Sequence, residues 1–234
     1  MGLLDTIKGP KGGRGNGCAL ASYPRSGNTW ARKLLESASG RESGSLYQDR
    51  VFTRGKSGVV VKTHERSSAG FESAIWIVRN PFDSIYSGYK HVTDVQKKDP
   101  QPWSDYIAEQ TEYWRLHAEY WADAKLPKLL IRYEDMLAAP TFELLRMCTF
   151  LSIKIDRASL DAIVGDHGIE QMRKMSDLGA SFFRSGTIGD GYRHFSVEER
   201  QTMRDALKEE LALLHYDQSF FDAMDEGLAA AKSA

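Results

Sequence analysis

The sequence predicts an α/β fold, a three-layer α/β/α sandwich with a central parallel sheet and a P-loop-like turn from strand to helix that binds phosphate. Two observations support this prediction. Short, continuous apolar runs alternate with helical patterns along the chain, and a polar loop that contains glycine joins the first run to a helix. Continuous apolar runs are typical of strands that are buried on both faces of a parallel sheet.

The 234 residues are predicted to form a single domain with short flanking segments. Residues 8–17 contain five glycines, so residues 1–17 are expected to be a flexible leader. The domain then covers residues 18–226, and residues 227–234 are expected to fray. Hydrophobic residues make up 41% of the chain, which is enough for a substantial core.

Four apolar runs are predicted to be the strands. They are CALAS, GVVVK, AIWIV and KLLIR, at residues 18–22, 58–62, 74–78 and 128–132. With the helical patterns between them the order is β-α-β-β-α-α-β-α, which favours an open sandwich with short parallel strands.

The helices are marked by capping signals and by one long periodic pattern. In NPFD (80–83) a capping residue precedes a proline and a first-turn acid, and SVEE (196–199) is a capping box. Between residues 103 and 121, aromatic residues recur at steps of three and four, which predicts a long helix with a broad aromatic face. We expect that face to pack in the core; the alternative is that some of its rings line a substrate pocket.

Composition argues against several classes of protein. The chain has 31 basic and 32 acidic residues, so no global field indicates a nucleic-acid or membrane partner. There is no run of 18 apolar residues and no signal peptide, and we expect a cytoplasmic protein, although Gly2 fits the loose myristoylation pattern. Cys18 and Cys148 lie in separate apolar runs and are predicted to be buried free thiols in a reducing compartment.

The loop YPRSGNTW (23–30) concentrates hydrogen-bond donors at the end of the first predicted strand. Ligands of parallel α/β sheets bind at this edge, and the first backbone N–H groups of the following helix have no internal partner. Arg25 adds a fixed positive fork, and Gly27 lets the backbone approach a ligand closely. Side-chain hydrogen bonds are expected from Ser26, Asn28 and Thr29. The pattern predicts a phosphate site, and because it lacks the GK[ST] of ATP- and GTP-binding loops we expect no metal there.

The same loop resembles the 5′-phosphosulfate loop of the sulfotransferases that use 3′-phosphoadenosine 5′-phosphosulfate (PAPS). Four further segments resemble motifs of this family in the family's order: VVVKTHE, IVRNPFDSIYSGYKH, IRYEDM and FFRSGTIGDGYRHFS. LASYPRSGNTWARKLLE and YQDR are most similar to the sulfotransferase domain of WSC-domain proteins and their small bacterial and algal relatives. The resemblance implies transfer of a sulfuryl group from PAPS to a hydroxyl or amine, with release of 3′-phosphoadenosine 5′-phosphate (PAP).

The resemblance also implies roles for individual residues. His64 is expected to be the base, with Glu65 as the alternative, and Lys62 and Arg25 are expected to stabilise charge on the transferring group. The 5′-phosphosulfate would be bound by residues 25–29. The 3′-phosphate would be bound by Arg79, Ser87, Arg184, Ser185 and Gly186. Trp30 is expected to stack on adenine and Tyr133 to donate a hydrogen bond near it.

The acceptor side is less defined by the sequence. Its candidate walls are residues 47–54, 91–103 and 175–183, and the polar character of the second favours a small polar or sugar-like acceptor. Two other interpretations stay open. One is a magnesium- and ATP-dependent small-molecule kinase with a related phosphate loop, and the other is a non-catalytic module that binds PAP or PAPS. The sequence leaves the oligomeric state open.

Overall fold

The computed structural model describes residues 17–47, 58–99, 101–168, 171, 172, 174 and 186–233. Within these residues a parallel sheet has the strand order β2-β3-β1-β4-β5. The strands are β1 Cys18–Ser22, β2 Gly44–Ser45, β3 Val61–Thr63, β4 Ser73–Val78 and β5 Lys128–Arg132.

Helices flank the sheet and extend beyond its last strand. They are α1 Asn28–Ser39, α2 Pro81–Lys90, α3 Trp103–Asp123, α4 Tyr133–Ala138, α5 Pro140–Phe150, α6 Arg157–Asp166, α7 Val197–Ala206, α8 Lys208–Leu213 and α9 Gln218–Ser233. A π-helical turn, His91–Val95, extends α2, and a short 3₁₀ turn, Tyr192–His194, precedes α7. Both predicted caps are present: the Asn80 side chain accepts from the Asp83 N–H, and Ser196 and Glu199 form a reciprocal capping box.

Alternate residues of the central strands pack into two separate cores, as expected when a sheet is covered on both faces. Ala19, Ala21 and Trp76 lie in one core with α2 and α3, and Leu20 and Ile75 lie in the other with α1, α4 and α5. The predicted three-layer sandwich with a parallel sheet is therefore confirmed. No helix among the described residues is both long and apolar enough to cross a membrane.

The aromatic residues of α3 and the two cysteines lie in these cores, as the sequence predicted. Much of the aromatic stripe of α3 is core, since Trp114 and Trp121 are buried. Cys18 and Cys148 are buried free thiols, and burial raises the pKa of each to about 11.

Several predicted boundaries differ from the structure. The strand predicted at 58–62 occupies Val61–Thr63. Val59 and Val60 are buried, which explains the apolar run, but they lie before the first residue of β3. The strand predicted at 74–78 begins one residue earlier, at Ser73. β2 was not predicted, since two small residues carry no apolar pattern. Residues 227–233, predicted to fray, are helical as the last part of α9, which fits the high helix propensity of alanine.

The chain path creates a switch point between β1 and β4. From β1 the chain crosses through α1 to β2 and β3 on one side, and from β4 it crosses through α2 and α3 to β5 on the other. Open parallel sheets bind ligands at the carboxyl ends of strands beside such a point. The loop after β1 and the residues after β4 meet there.

Candidate active site

The loop after β1 is fixed by contacts with the residues that follow β4. Arg25 Nε donates to Ser87 Oγ at 3.1 Å, and Arg79 Nη1 donates to the Arg25 carbonyl at 3.2 Å. Arg25 has a φ of 66°, in the left-handed region that non-glycine residues seldom occupy. The structure thus brings together three residues that the sequence analysis assigned to two phosphates.

Gly27 is required by close packing between this loop and α4. It has a φ of 93°, and a Cβ at this position would lie 2.5 Å from Tyr133 Cδ2. The same ring also contacts Arg79, whose Cζ lies 4.5 Å from the ring centroid. Burial raises the pKa of Tyr133, so its hydroxyl remains a donor at neutral pH.

Three buried polar atoms of the site have no hydrogen-bond partner among the described residues: Ser26 Oγ, Arg79 Nε and Asn28 Oδ1. Such atoms are rare in folded proteins, because an unpaired buried polar group is costly. A hydroxyl and a guanidinium N–H are donors that suit an anion. Asn28 mainly braces the loop, since its Nδ2 donates to the Leu20 carbonyl at 2.9 Å and to Ser22 Oγ at 3.1 Å.

Trp30, predicted to stack on adenine, lies in the first turn of α1 behind the half-buried Thr29. Its side chain is 5% exposed, and its Nε1 donates to the His167 carbonyl at 2.8 Å. The ring packs edge-on against Tyr133, with centroids 6.2 Å apart. The two residues expected near adenine are therefore neighbours, and their roles stay predictions.

His64 follows β3 directly and points its ring at the end of β1. Its Nδ1 lies 2.7 Å from the Ser22 carbonyl oxygen. Because a carbonyl can only accept, Nδ1 carries the proton and Nε2 carries the lone pair. Burial, and then the positive charges of Lys62 and Arg25, lower the pKa of His64 to about 4. At neutral pH the imidazole is therefore neutral and able to accept a proton at Nε2.

The sequence neighbours of His64 on either side differ in environment. Lys62 is half-buried, and burial followed by the charges of Arg32 and Arg25 lowers its pKa. Glu65, the alternative base, is exposed, and its Oε1 accepts a hydrogen bond from the Tyr47 hydroxyl at 3.0 Å.

Asp83, which the sequence analysis treated only as a first-turn acid, connects the site to the C-terminal loop. Its side chain is 1% exposed, and its carboxylate accepts from the backbone N–H groups of Gly189 at 2.8 Å and Gly191 at 2.6 Å. Arg79 Nη2 lies 3.7 Å from the same carboxylate. The described part of this loop begins with Gly186, one of the residues predicted to bind the 3′-phosphate. Arg184 and Ser185 lie outside the described residues.

The acceptor side is described only in part. Tyr47 and residues 91–99 and 101–103 are described, whereas residues 48–54, 175–183 and 100 lie outside the described residues. Burial and the charges of Arg25 and Lys62 lower the pKa of His91, so the segment predicted as the second wall begins beside the site.

Comparison with known proteins defines the class. A family model for the sulfotransferase domain matches residues 71–215, more than half of the chain, and the chain belongs to this family. The matched range includes Arg79, Ser87 and Tyr133 and begins after His64. The resemblance stated from the sequence is confirmed.

One relative and two solved structures illustrate the likeness. WSCD family member GA21586 of Drosophila pseudoobscura pseudoobscura is 29% identical over 180 residues, which cover 67% of this chain and 57% of that protein. The chain thus spans little more than half of that relative. Mouse sulfotransferase SULT7A1 complexed with PAP has a TM-score of 0.67 at 18% identity, over 90% of this chain and 88% of that chain. Retinol dehydratase in complex with androsterone and inactive cofactor PAP has a TM-score of 0.67 at 17% identity, over 86% and 82%.

Proposed function

We propose that the chain transfers a sulfuryl group from PAPS to a hydroxyl or amine of a small polar or sugar-like acceptor and releases PAP. The observation that carries this proposal is the meeting of Arg25, Arg79 and Ser87 at the switch point of the sheet, beside the unpartnered Ser26 Oγ and Arg79 Nε. Donors from the loop after β1 and donors from Arg79 and Ser87 meet at one switch point, which suits a nucleotide with two phosphates, and SULT7A1 and retinol dehydratase, which share this fold, were solved with PAP.

In this proposal, different residues bind the two phosphate groups of PAPS. The 5′-phosphosulfate is bound by Arg25, Ser26 and the backbone N–H groups that begin α1. The 3′-phosphate is bound by Arg79 and Ser87, with Gly186, Arg184 and Ser185 as further ligands. Arginine suits this task because its guanidinium offers several N–H donors in a fixed geometry and stays charged.

The reaction needs a base, a stabilised transition state and a stabilised leaving group. His64 takes the proton of the acceptor hydroxyl at Nε2 while the acceptor oxygen forms a bond to sulfur. The bond between sulfur and the bridging phosphate oxygen breaks, and its electron pair leaves with the 5′-phosphate of PAP. Arg25 and Lys62 stabilise the charge that develops on this phosphate and on the sulfuryl oxygens.

The polar acceptor is proposed from the rim of the site. Residues 91–103, HVTDVQKKDPQPW, are mostly polar, and those described are half-buried or exposed. This composition favours a hydrophilic acceptor over androsterone or retinol, with which retinol dehydratase has been solved. We also propose a cytoplasmic location, supported by the two buried free thiols.

The test is transfer of ³⁵S from labelled PAPS, in buffer with EDTA, to a panel of simple phenols, sugars, amines and hydroxylated metabolites. We expect labelled product with a polar acceptor, and loss of that product in His64→Asn. The matched control is Phe142→Ala, which removes an exposed ring from α5, away from the site. If PAP binds and no acceptor is labelled, the non-catalytic binding module becomes the better interpretation.

A further inference from the structure

Tyr47 contacts His64 in two ways, through its hydroxyl and through its ring. The hydroxyl accepts the His64 backbone N–H at 2.7 Å. The two rings lie nearly parallel, with centroids 5.5 Å apart and an angle of 21° between their planes. The imidazole is therefore held between the Ser22 carbonyl at Nδ1 and the phenol ring on one face, while these contacts leave Nε2 free.

Tyr47 is itself held by the residues around it. Its hydroxyl donates to Glu65 Oε1 at 3.0 Å, and Lys62 Nζ lies 5.9 Å from its ring centroid. Its side chain is 48% exposed, so it lies at the surface edge of the site rather than in the core. Packing of the hydrophobic core therefore does not account for the contacts between Tyr47 and His64.

The charges around His64 give the Tyr47 ring an electrostatic role. The positive groups that act on the imidazole are Lys62 and Arg25, whereas Arg66 acts on the neighbouring His117. The nearby acid is Glu65, bound to the Tyr47 hydroxyl, and the remaining titratable neighbours are Tyr47, Tyr113 and His117. These three neighbours are neutral at pH 7, because burial raises the pKa of each tyrosine and lowers the pKa of His117. An imidazole among positive groups is repelled when it takes a proton, and the electron-rich face of a phenol ring offsets part of that repulsion.

We propose that Tyr47 is the positioning residue for the base: its ring keeps the His64 imidazole in the orientation that directs Nδ1–H at the Ser22 carbonyl and Nε2 at the acceptor. This inference rests on the proposed function, in which His64 accepts the acceptor's proton. It assigns the first residue of the predicted wall 47–54 to the base rather than to the acceptor alone.

The test reads the tautomer of His64 directly in the protein without ligand. Two-bond ¹H–¹⁵N spectra of histidine-labelled protein at pH 7.5 distinguish a protonated Nδ1 from a protonated Nε2, and His64→Gln assigns the signal. The variants are Tyr47→Phe, which keeps the ring, and Tyr47→Ala, which removes ring and hydroxyl. Phe142→Ala is the control for loss of an exposed ring elsewhere. PAP affinity is measured by calorimetry for each variant.

We expect protonated Nδ1 in the parent protein, Tyr47→Phe and Phe142→Ala, and a mixture of both tautomers in Tyr47→Ala, with unchanged PAP affinity throughout. Should Tyr47→Ala fail to fold, Tyr47→Leu replaces it, with the same expectation. An unchanged tautomer without the ring overturns the inference, and so does loss of PAP affinity, because Tyr47 would then act on the donor side. Failure of the parent protein to bind PAP would remove the proposed function, while the tautomer comparison would still decide the role of Tyr47.

Discussion

The two halves of the proposed site, one for the donor and one for the acceptor, are built differently. On the donor half, Arg25, Arg79, Ser87 and Tyr133 contact one another across three strand ends, and the last three are buried. On the acceptor half, Glu65 and Tyr47 are exposed, and much of the predicted wall lies outside the described residues. A donor shared by many enzymes of one class demands a fixed site, whereas acceptors differ and are bound by surface loops. We propose that the buried half binds the donor and that the exposed half selects the acceptor.

The largest effect is expected at the boundary between the halves. His64→Ala removes the group that takes the acceptor's proton, and the rate of sulfuryl transfer should fall by roughly 10²–10⁴. PAP affinity should stay nearly unchanged, because the imidazole hydrogen-bonds to Ser22 and not to the residues proposed to bind PAP. Steady-state rates and calorimetry on the same preparations check both parts. A collapse of PAP affinity would make His64 a structural or donor-binding residue.

On the donor half, Arg25→Ala should slow transfer by about 2.7–4 kcal/mol in the barrier, by analogy with loss of a preorganised donor to a developing negative charge. The left-handed backbone at Arg25 should be tolerated, since alanine meets the same cost there as arginine. Single-turnover rates with saturating PAPS measure the effect. A loss below tenfold in the single-turnover rate would exclude a role in the transition state.

Gly27→Ala tests whether the donor half is rigid. The new Cβ would lie 2.5 Å from Tyr133 Cδ2 in a backbone with φ of 93°, so strain and overpacking should lower the free energy of unfolding by about 1–3 kcal/mol. Gly165→Ala in α6 is the matched control, because its Cβ would have no neighbour within 4 Å. That control should stabilise by about 0.5–1 kcal/mol. Urea unfolding of both variants measures the difference, and equal stability would mean that the loop adjusts freely.

The last prediction concerns pH and His117, which lies among the rings of Tyr23, Tyr113 and Trp121. Burial lowers its pKa to about 3. The unfolded chain therefore binds a proton that the folded chain does not, and stability falls as the pH drops from about 6.5 towards 3. In His117→Leu the unfolded chain no longer takes up this additional proton. The slope of the free energy of unfolding against pH should therefore fall by roughly 1.4 kcal/mol per pH unit between pH 6 and 4. Unfolding curves at several pH values measure the slope, and an unchanged slope would contradict the burial argument.

The sequence predicted the bounds of two strands correctly, since β1 and β5 coincide with the runs CALAS and KLLIR. β1 is buried on both faces as expected, whereas the residues of β5 alternate between buried and half-buried. β2 escaped prediction because Gly44 and Ser45 join the sheet only through backbone bonds to β3. Residues 227–233 continue α9, and the expectation that residues 227–234 fray stays a prediction.

For the site, the motifs predicted which residues meet but not what holds them. Arg25 and Ser87 were assigned to different phosphates, and their hydrogen bond depends on the fold. The role of Asp83 in binding the Gly189–Gly191 loop could not be predicted, because its partners lie more than 100 residues away in sequence. Tyr47 was expected only as a wall, since nothing in its local sequence indicates a ring stacked on His64.

The central claim, that the buried half binds a nucleotide through its 3′-phosphate, is tested most directly by calorimetric titration of PAP, AMP and ATP in metal-free buffer with EDTA. We predict tight binding of PAP and weak binding of AMP and ATP, because Arg79 and Ser87 are proposed to contact the phosphate that the latter two lack. Equal binding of ATP, or binding that requires magnesium, would contradict the roles of Arg79 and Ser87 and would favour the small-molecule kinase.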